Sequence, residues 1–327
     1  MRILLVTPAP PRTVHGNRVT ALRWARLLRE LGHRVRVRQD YDGYPADLLI
    51  ALHARKSAPA IRRVRAERPG VPVVLALTGT DLYPSIEENG VDLGVLAAAD
   101  RLVVLQPLAV DQLPGGLRDR ARVIYQSVDP PAERDQAERN QVGGFAVAAG
   151  EFAVAQLGHL RAVKDPLLPA AAARLLPASS AVRIRHAGGV IDPDLGERAA
   201  EQARDNPRYT WLGELPADRA RALLASSRAL VHPSRHEGGA NVVTEALALG
   251  VPVLATRIPG TVGILGAGYP GYFPVGDHAA LASLLSSVET DAGLEEELRR
   301  HCATLRPLTT PAREQASWRS LLAELAR

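Results

Sequence analysis

Short apolar runs alternate with longer stretches of helical periodicity along most of this chain. In the first part, six runs rich in Val, Leu and Ile predict strands: RILLVTPA, RVRVRQ, ADLLIALHA, VPVVLALTG, ADRLVVLQP and ARVIYQS. After the first run comes RVTALRWARLLRELGH, whose apolar residues recur at helical spacing and whose helix is expected to stop at Gly32. Buried strands separated by helices are typical of a parallel sheet that helices cover on both faces.

A polar interruption precedes a second alternation of the same kind. The segment PPAERDQAERNQVGG has Pro and Gly at its ends and predicts a linker over residues 131–150. Six further runs then predict a second sheet: FAVAQLG, AVRIRHAGG, YTWLGEL, RALVHPS, VPVLATR and GYFPV. The pattern therefore predicts an α/β fold of two Rossmann-like domains, residues 1–130 and 151–305. Ligands of such folds bind in the cleft at the carboxyl ends of the strands.

The chain ends in PAREQASWRSLLAELAR, an amphipathic helix that Pro311 opens. We expect this C-terminal helix, within residues 306–327, to pack back toward the first domain.

Composition narrows the class of protein. A length of 327 residues suits two domains, and 46% hydrophobic with 23% charged residues is ordinary for a globular chain. The single cysteine, Cys302, excludes an internal disulfide and fits a reducing compartment. The apolar run at the amino terminus is too short for a signal peptide, and no run of eighteen apolar residues predicts a membrane span. These features predict a cytoplasmic protein, and they leave its oligomeric state open.

The net charge of +5 arises almost entirely from arginine. Of the 40 basic residues, only Lys56 and Lys164 are lysines. The charge is scattered and forms no long basic run, which argues against a nucleic-acid surface. Affinity for a small molecule that carries phosphate remains compatible with this distribution.

The stretch RHEGGANVVTEALALGVPVLATR, residues 235–257, contains the most informative chemistry. It follows the predicted strand RALVHPS, and its helix is expected to begin near Asn241 and to stop at Gly250. The amino terminus of a helix binds phosphate through unpaired N–H groups and a partial positive charge. Because Gly238, Gly239 and Ala240 have little or no side chain, a diphosphate could approach the backbone closely there.

Two carboxylates, Glu237 and Glu245, bracket these small residues. Glu245 lies one turn beyond Asn241, where it could accept hydrogen bonds from the two hydroxyls of a ribose. Glu237 could hold a hydroxylated group on the far side of the diphosphate. The alternative is a solvated Glu237, with Glu245 as a first-turn charge that complements the helix dipole. The first interpretation predicts a site for a nucleotide-diphosphate-sugar.

The segment EGGANVVTE resembles the E-x7-E signature of the retaining glycosyltransferases of family 4. Three other segments resemble that family as well: LLVTPAPPRTVHGNRVTALRWARLLRELGHRV, QLGHLRAVKDP and VPVLATRIPG. The resemblance implies the GT-B fold, in which two Rossmann-like domains face each other across a central cleft. It also implies an enzyme that takes a UDP-sugar as substrate. We expect this enzyme to need no cofactor and no metal.

The resemblance assigns roles to particular residues. Lys164 matches the lysine of the family's G-R-x4-K segment, which contacts the donor diphosphate, and with Glu237 it is a catalytic candidate. His159 stands where the family has an arginine, and Arg161 is the alternative for that role. The donor-binding candidates are Gly16, His159, Arg161, Gly238, Gly239, Ala240, Asn241, Val242 and Glu245.

A metal site is not predicted. The segment IDPDLGE contains a D-x-D, Asp192 with Asp194, and Asp194 is expected to cap the next helix rather than to bind a cation. Fixed cations and helix N–H groups can stabilise a leaving diphosphate without a metal.

The segment LALTGTDLY lacks the histidine that the family usually carries after the third or fourth strand of the first domain. With GHLRAVKDPL, EGGANVV and YPGYFPVGD, it resembles a narrower group, the bacterial selenosugar synthases of selenoneine biosynthesis. That resemblance implies transfer of a sugar, N-acetylglucosamine in the group, from a UDP-sugar to selenophosphate with formation of a carbon–selenium bond. The acceptor-binding candidates are Arg12, Asn17, Arg18, Thr78 and Thr80.

Other functions stay open at this level. A family 4 enzyme could instead act on a sugar or lipid hydroxyl. A non-catalytic sugar-binding protein is disfavoured by the phosphate-binding helix. A nicotinamide-dependent oxidoreductase is disfavoured because the first loop, TPAPPRTVHGNR, has no G-x-G-x-x-G.

Overall fold

The computed structural model describes residues 1–11, 16–129, 145 and 147–326. The predicted linker therefore lies mostly outside the described residues, and so does the acceptor candidate Arg12. Two compact units divide the chain. The first unit comprises Met1–Ser127, His236–Asn241 and Thr310–Arg327, and the second comprises Val128–Arg235 and Val242–Thr309.

The first unit contains a parallel sheet of six strands in the order β2-β1-β3-β4-β5-β6. The strands are β1 (Arg2–Val6), β2 (Arg34–Arg38), β3 (Leu48–Leu52), β4 (Val73–Leu77), β5 (Arg101–Val104) and β6 (Ala121–Val123). Every residue of β3 and β4 is buried, as a strand covered on both faces requires. The arginines of β2 are exposed instead, and charged side chains protect such an edge from pairing with other chains.

Three helices connect these strands within the described residues: α1 (Gly16–Glu30), α2 (Ala58–Glu67) and α3 (Leu93–Ala97). Helix α1 buries Trp24 and Leu28 against β1 and β3, where Ile3, Leu5 and Ile50 belong to the same apolar cluster. Gly32 follows α1 with a φ of +87°, so the predicted stop is confirmed.

The second unit contains another parallel sheet of six strands, in the order β12-β11-β10-β7-β8-β9. The strands are β7 (Phe152–Leu157), β8 (Val182–Ala187), β9 (Tyr209–Trp211), β10 (Ala229–His232), β11 (Val253–Thr256) and β12 (Tyr272–Phe273). The helices that follow in the chain are α4 (Leu168–Arg174), α5 (Pro193–Asp205), α6 (Ala217–Ala225), α7 (Asn241–Leu249), α8 (Pro259–Leu265), α9 (His278–Thr290) and α10 (Ala292–Leu305).

The C-terminal helix α11 (Pro311–Leu325) belongs to the first unit. Its Trp318 meets Trp24 edge to face, with ring centroids 4.8 Å apart. Near its end, Glu324 pairs with Arg122 at 2.7 Å and with Arg101 at 2.8 Å. Hydrogen bonds from these two guanidinium groups lower the pKa of Glu324 to about 2.

Each strand in the described residues lies within one of the twelve predicted runs, and every pairing is parallel. The prediction of two Rossmann-like α/β domains is confirmed. No helix among these residues is long and apolar enough to span a bilayer.

Candidate functional site

Four acceptor candidates lie at the carboxyl edge of the first sheet. Asn17 and Arg18 form the first turn of α1, which follows β1, and Gly16 begins that helix. Thr78 and Thr80 follow β4. The Nε of Arg18 is buried and has no hydrogen-bond partner among the residues that the structure describes. A buried, unsatisfied guanidinium donor is costly in a folded chain, and an anionic ligand would satisfy it.

Asp81 fixes the loop after β4. Its carboxylate is fully buried and accepts hydrogen bonds from three backbone N–H groups, those of Ala54 at 2.9 Å, Thr78 at 2.9 Å and Gly79 at 2.8 Å. Ala54 lies in the loop after β3. The carboxylate therefore holds two neighbouring loops in one geometry.

His53, directly after β3, is not among the site residues that the sequence predicts, although its position at a strand end and its poor fit to a metal site are both visible in the sequence. Its side chain is buried, and its Nε2 lies 3.3 Å from the hydroxyl of Thr80. Nδ1 lies 3.8 Å from a carboxylate oxygen of Asp81. Burial lowers the pKa of His53 below its usual value, although Asp81 opposes the shift, so the ring is neutral at pH 7.

The expectation that no histidine follows the third or fourth strand is wrong. His53 stands at the end of the run ADLLIALHA, one residue after β3 ends at Leu52. Its position at the end of a predicted strand was the feature of the sequence that could have identified it as a site residue. Its φ of +72° is uncommon for a residue with a side chain.

The loop of residues 236–241 packs within the first unit, against residues that follow β4 and β5. A Cβ on Gly238 would lie 2.6 Å from the carbonyl carbon of Thr78 and 2.7 Å from two backbone atoms of Gly79. A Cβ on Gly239 would lie 2.5 Å from the Cβ of Leu105, and Ala240 is buried. This packing is a second explanation for the small residues, beside the expected approach of a diphosphate. Thr78, Gly79 and Leu105 occupy the space that side chains at 238 and 239 would need, so the two glycines permit close packing of the loop.

Helix α7 begins at Asn241 and ends before Gly250, whose φ is +72°, as predicted. Val242 and Glu245 lie in its first two turns and belong to the second unit, and both are partly exposed. Glu237 is also partly exposed and belongs to the first unit.

The remaining donor candidates lie after β7 in the second unit. The Nδ1 of His159 accepts a hydrogen bond from the N–H of Gly189 at 3.1 Å. A neutral ring in this position carries its proton on Nε2, which is then a donor, as the family's arginine would be. Arg161 is exposed and precedes a 3₁₀ turn, Ala162–Lys164, which places the partly exposed Lys164 at its end.

His186 holds the backbone of the loop that follows β7. Its Nε2 lies 2.9 Å from the carbonyl oxygen of Gly158, which can only accept, so Nε2 donates. Nδ1 consequently accepts from the hydroxyl of Tyr209 at 2.7 Å. Burial lowers the pKa of His186 to about 4, and the ring is neutral at physiological pH. Gly188 lies against the same carbonyl, because a Cβ there would come within 1.9 Å of its oxygen.

The structure places the D-x-D segment at the start of α5. Asp192 occupies the N-cap position without a side-chain capping hydrogen bond, and Asp194 lies in the first turn, so the expectation that Asp194 caps the helix is wrong. No group of three or more His, Cys, Asp or Glu side chains that could hold a metal occurs in the described part of the chain.

Comparisons with known proteins place these features in a family. The family model of glycosyl transferases group 1 matches residues 140–304. The D-inositol 3-phosphate glycosyltransferase 1 of Catenulispora acidiphila is 28% identical over 263 residues, which cover 72% of this chain and 62% of that protein. The D-inositol 3-phosphate glycosyltransferase of Mycolicibacterium smegmatis is 28% identical over 226 residues, 64% of this chain and 50% of that protein. The chain thus spans about half to three fifths of these relatives.

The fold resembles solved structures over almost the full chain. The crystal structure of HepE from Anabaena in complex with UDP has a TM-score of 0.77 and 17% sequence identity, and 99% of each chain is covered. At that identity the likeness establishes the fold.

Proposed function

Because the chain belongs to the family of group 1 glycosyl transferases, we propose that it transfers a sugar from a UDP-sugar to selenophosphate. The observation that carries the donor half is the arrangement around α7, where Glu237 and Glu245 flank a loop that leads into the amino terminus of a helix. The family resemblance gives UDP as the nucleotide and N-acetylglucosamine as the sugar. The chain acts without a metal in this proposal.

On the donor side, Lys164 and the N–H groups at the start of α7 neutralise the diphosphate as it leaves. His159 adds a hydrogen bond from Nε2, and Arg161 is the alternative donor. Glu245 accepts hydrogen bonds from the ribose hydroxyls, and Glu237 from the sugar.

On the acceptor side, Arg18 is the principal anion-binding group. Its buried Nε has no hydrogen-bond partner among the described residues, which supports an anionic acceptor. The hydroxyls of Thr78 and Thr80 and the amide of Asn17 add further donors. Selenium attacks the anomeric carbon as the bond from that carbon to UDP breaks. Water then cleaves the selenium–phosphorus bond, which gives phosphate and the free selenosugar. Selenium in this anion is already a strong nucleophile and needs no general base.

A second candidate function is transfer to a hydroxyl of a phosphorylated acceptor. The observation that favours it is His53, whose neutral Nε2 lies beside the hydroxyl of Thr80 and could take up a proton through it. The matched relatives are named for D-inositol 3-phosphate, an acceptor with hydroxyls as well as a phosphate.

A competition assay separates these functions. The protein is incubated with UDP-N-acetylglucosamine and with selenophosphate, thiophosphate, phosphate, inositol phosphate or simple sugars, and released UDP is measured. We expect release with selenophosphate, and a selenosugar in the mass spectrum of the products. Preference for inositol phosphate or a sugar would refute the selenophosphate acceptor and leave the transferase in place.

Arg18→Ala tests the anion site in the same assay. We expect the KM for selenophosphate to rise about tenfold or more, the scale of one hydrogen bond between charged groups. Arg26→Ala is the matched control, since Arg26 lies on the same helix and pairs with Glu30 at the surface. An unchanged KM in Arg18→Ala would contradict the acceptor assignment.

A further inference from the structure

A buried polar cluster joins the C-terminal helix to the loop of residues 236–241 within the first unit. The side chain of Glu314, on α11, is fully buried. Its carboxylate accepts hydrogen bonds from Trp24 Nε1 at 2.6 Å, from Arg23 Nε at 3.1 Å and from the backbone N–H of Ser127 at 2.8 Å. Burial of a carboxylate is tolerated when a cation and several donors surround it, as here.

The buried cluster consists of Thr20, Arg23, Trp24, Gln126, Ser127 and Glu314, and two of its members, Arg23 and Gln126, contact the loop. Arg23 donates through one terminal nitrogen to Asn241 Oδ1 at 3.1 Å and through the other to Gln126 Oε1 at 2.7 Å. Gln126 Oε1 also accepts from the hydroxyl of Thr20 at 2.9 Å. With its oxygen engaged twice, the amide of Gln126 directs its nitrogen to the carbonyl oxygen of Gly239 at 2.8 Å.

These contacts hold the segment just before and at the start of α7. A carbonyl at 239 and a side chain at 241 are both fixed, and the peptide planes between them carry the N–H groups that open the helix. Catalytic and binding groups need to be held to within a fraction of an ångström by a supporting layer of residues. Apolar packing is not directional and would allow several backbone conformations of the loop, whereas a satisfied hydrogen-bond network specifies one of them.

We propose that Arg23 and Gln126 are positioning residues for donor binding, and that Glu314 on the C-terminal helix orients Arg23 for this task. The inference rests on the proposed function, because it assigns the loop and the start of α7 to the donor. It adds a contribution from the C-terminal helix, more than seventy residues away along the chain, to the geometry of that site.

Gln126→Glu tests the proposal with almost no change in shape. The carboxylate keeps an acceptor for Arg23 and Thr20 but cannot donate to the carbonyl of Gly239, which it instead repels. We expect the KM for the UDP-sugar and the dissociation constant of UDP to rise about tenfold. We also expect faster amide hydrogen exchange in the peptide that covers residues 236–245.

Glu324→Gln is the matched control. Glu324 lies on α11, the helix that also carries Glu314, but it pairs with Arg101 and Arg122 and not with members of the cluster. A merely structural role for the cluster would make both variants alike, with lower thermal midpoints and an unchanged KM. We expect Glu324→Gln to lower the midpoint only, while Gln126→Glu changes the KM and the exchange of the loop. Equal behaviour of the two variants overturns the proposal.

Arg23→Lys provides a second variant in case Gln126→Glu does not fold. A lysine keeps the positive charge beside Glu314 but has no planar fork to reach Gln126 and Asn241 together. The expected result is again a raised KM with accelerated exchange at residues 236–245, and wild-type values of both refute the positioning role. The exchange comparison needs no substrate. If the wild-type protein releases no UDP from any UDP-sugar, the proposed function fails, while the exchange result still decides whether the cluster holds the loop.

Discussion

Gly238→Ala distinguishes two explanations for the small residues of the E-x7-E segment. In the structure, the added methyl group would lie 2.6–2.7 Å from three backbone atoms of Thr78 and Gly79. Ordinary van der Waals contact begins at 3.4 Å, so the segment at Gly238 and the segment at Thr78–Gly79 must separate by about 0.8 Å. None of the three atoms belongs to a flexible side chain that could move aside.

The cost follows from this overlap. Overpacking of this kind costs about 1–3 kcal/mol in the free energy of unfolding. If the segment binds substrate as proposed, a displacement of nearly one ångström is expected to lower kcat/KM by about 10- to 100-fold. Gly70→Ala is the control, because no atom of the described residues is found within 4 Å of its added Cβ, and its stability should change by less than about 0.5 kcal/mol.

Urea unfolding followed by tryptophan fluorescence, together with UDP release, measures both effects. We expect Gly238→Ala to lose stability and activity together. A loss of activity and UDP affinity at unchanged stability would show that the missing side chain makes room for the diphosphate, and would refute the packing explanation. Unchanged stability and activity would mean that the loop does not lie against Thr78 and Gly79.

Three further predictions address the donor and the stability of its loops. Glu245→Gln should weaken UDP binding by roughly 1–3 kcal/mol, the scale of a hydrogen bond to a charged group, while Glu237→Gln should lower turnover and leave UDP affinity intact; isothermal titration with UDP separates them. Activity should survive EDTA, and complete loss that magnesium restores would contradict metal-independent catalysis. Stability should fall as the pH drops from about 6.5 toward 4, because unfolded chains protonate His186 in that window while burial keeps its folded pKa at about 4. Urea unfolding at several pH values measures this decline, and an equally steep decline in His186→Gln would assign it to other groups.

The pattern of apolar residues was sufficient for the fold. Strands β3 and β4 are continuous apolar runs because both faces are buried. The limits of α1 and α7 were also predictable, since Gly32 and Gly250 adopt positive φ, which costs glycine little. These properties depend on neighbours in sequence and on burial, both of which a local pattern records.

The candidate site was only partly predictable. The segment with Glu237 and Glu245 was recognisable because the spacing of the two carboxylates is local. The partners of that segment were not, because Gly238 meets Gly79, and Gln126 meets Gly239, across more than a hundred residues of chain. No periodicity records contacts between positions so far apart.

His53 shows the same division. The sequence places a histidine after a strand, but whether that ring is solvated, metal-binding or paired depends on the loops that surround it. Only the tertiary structure decided that Thr80 and Asp81 are its neighbours and that burial keeps it neutral. The sequence by itself determined which segments are strands and helices and which residues could carry chemistry. Tertiary packing decided which of those residues meet, because distance in space between remote segments is set by the packing of the whole unit.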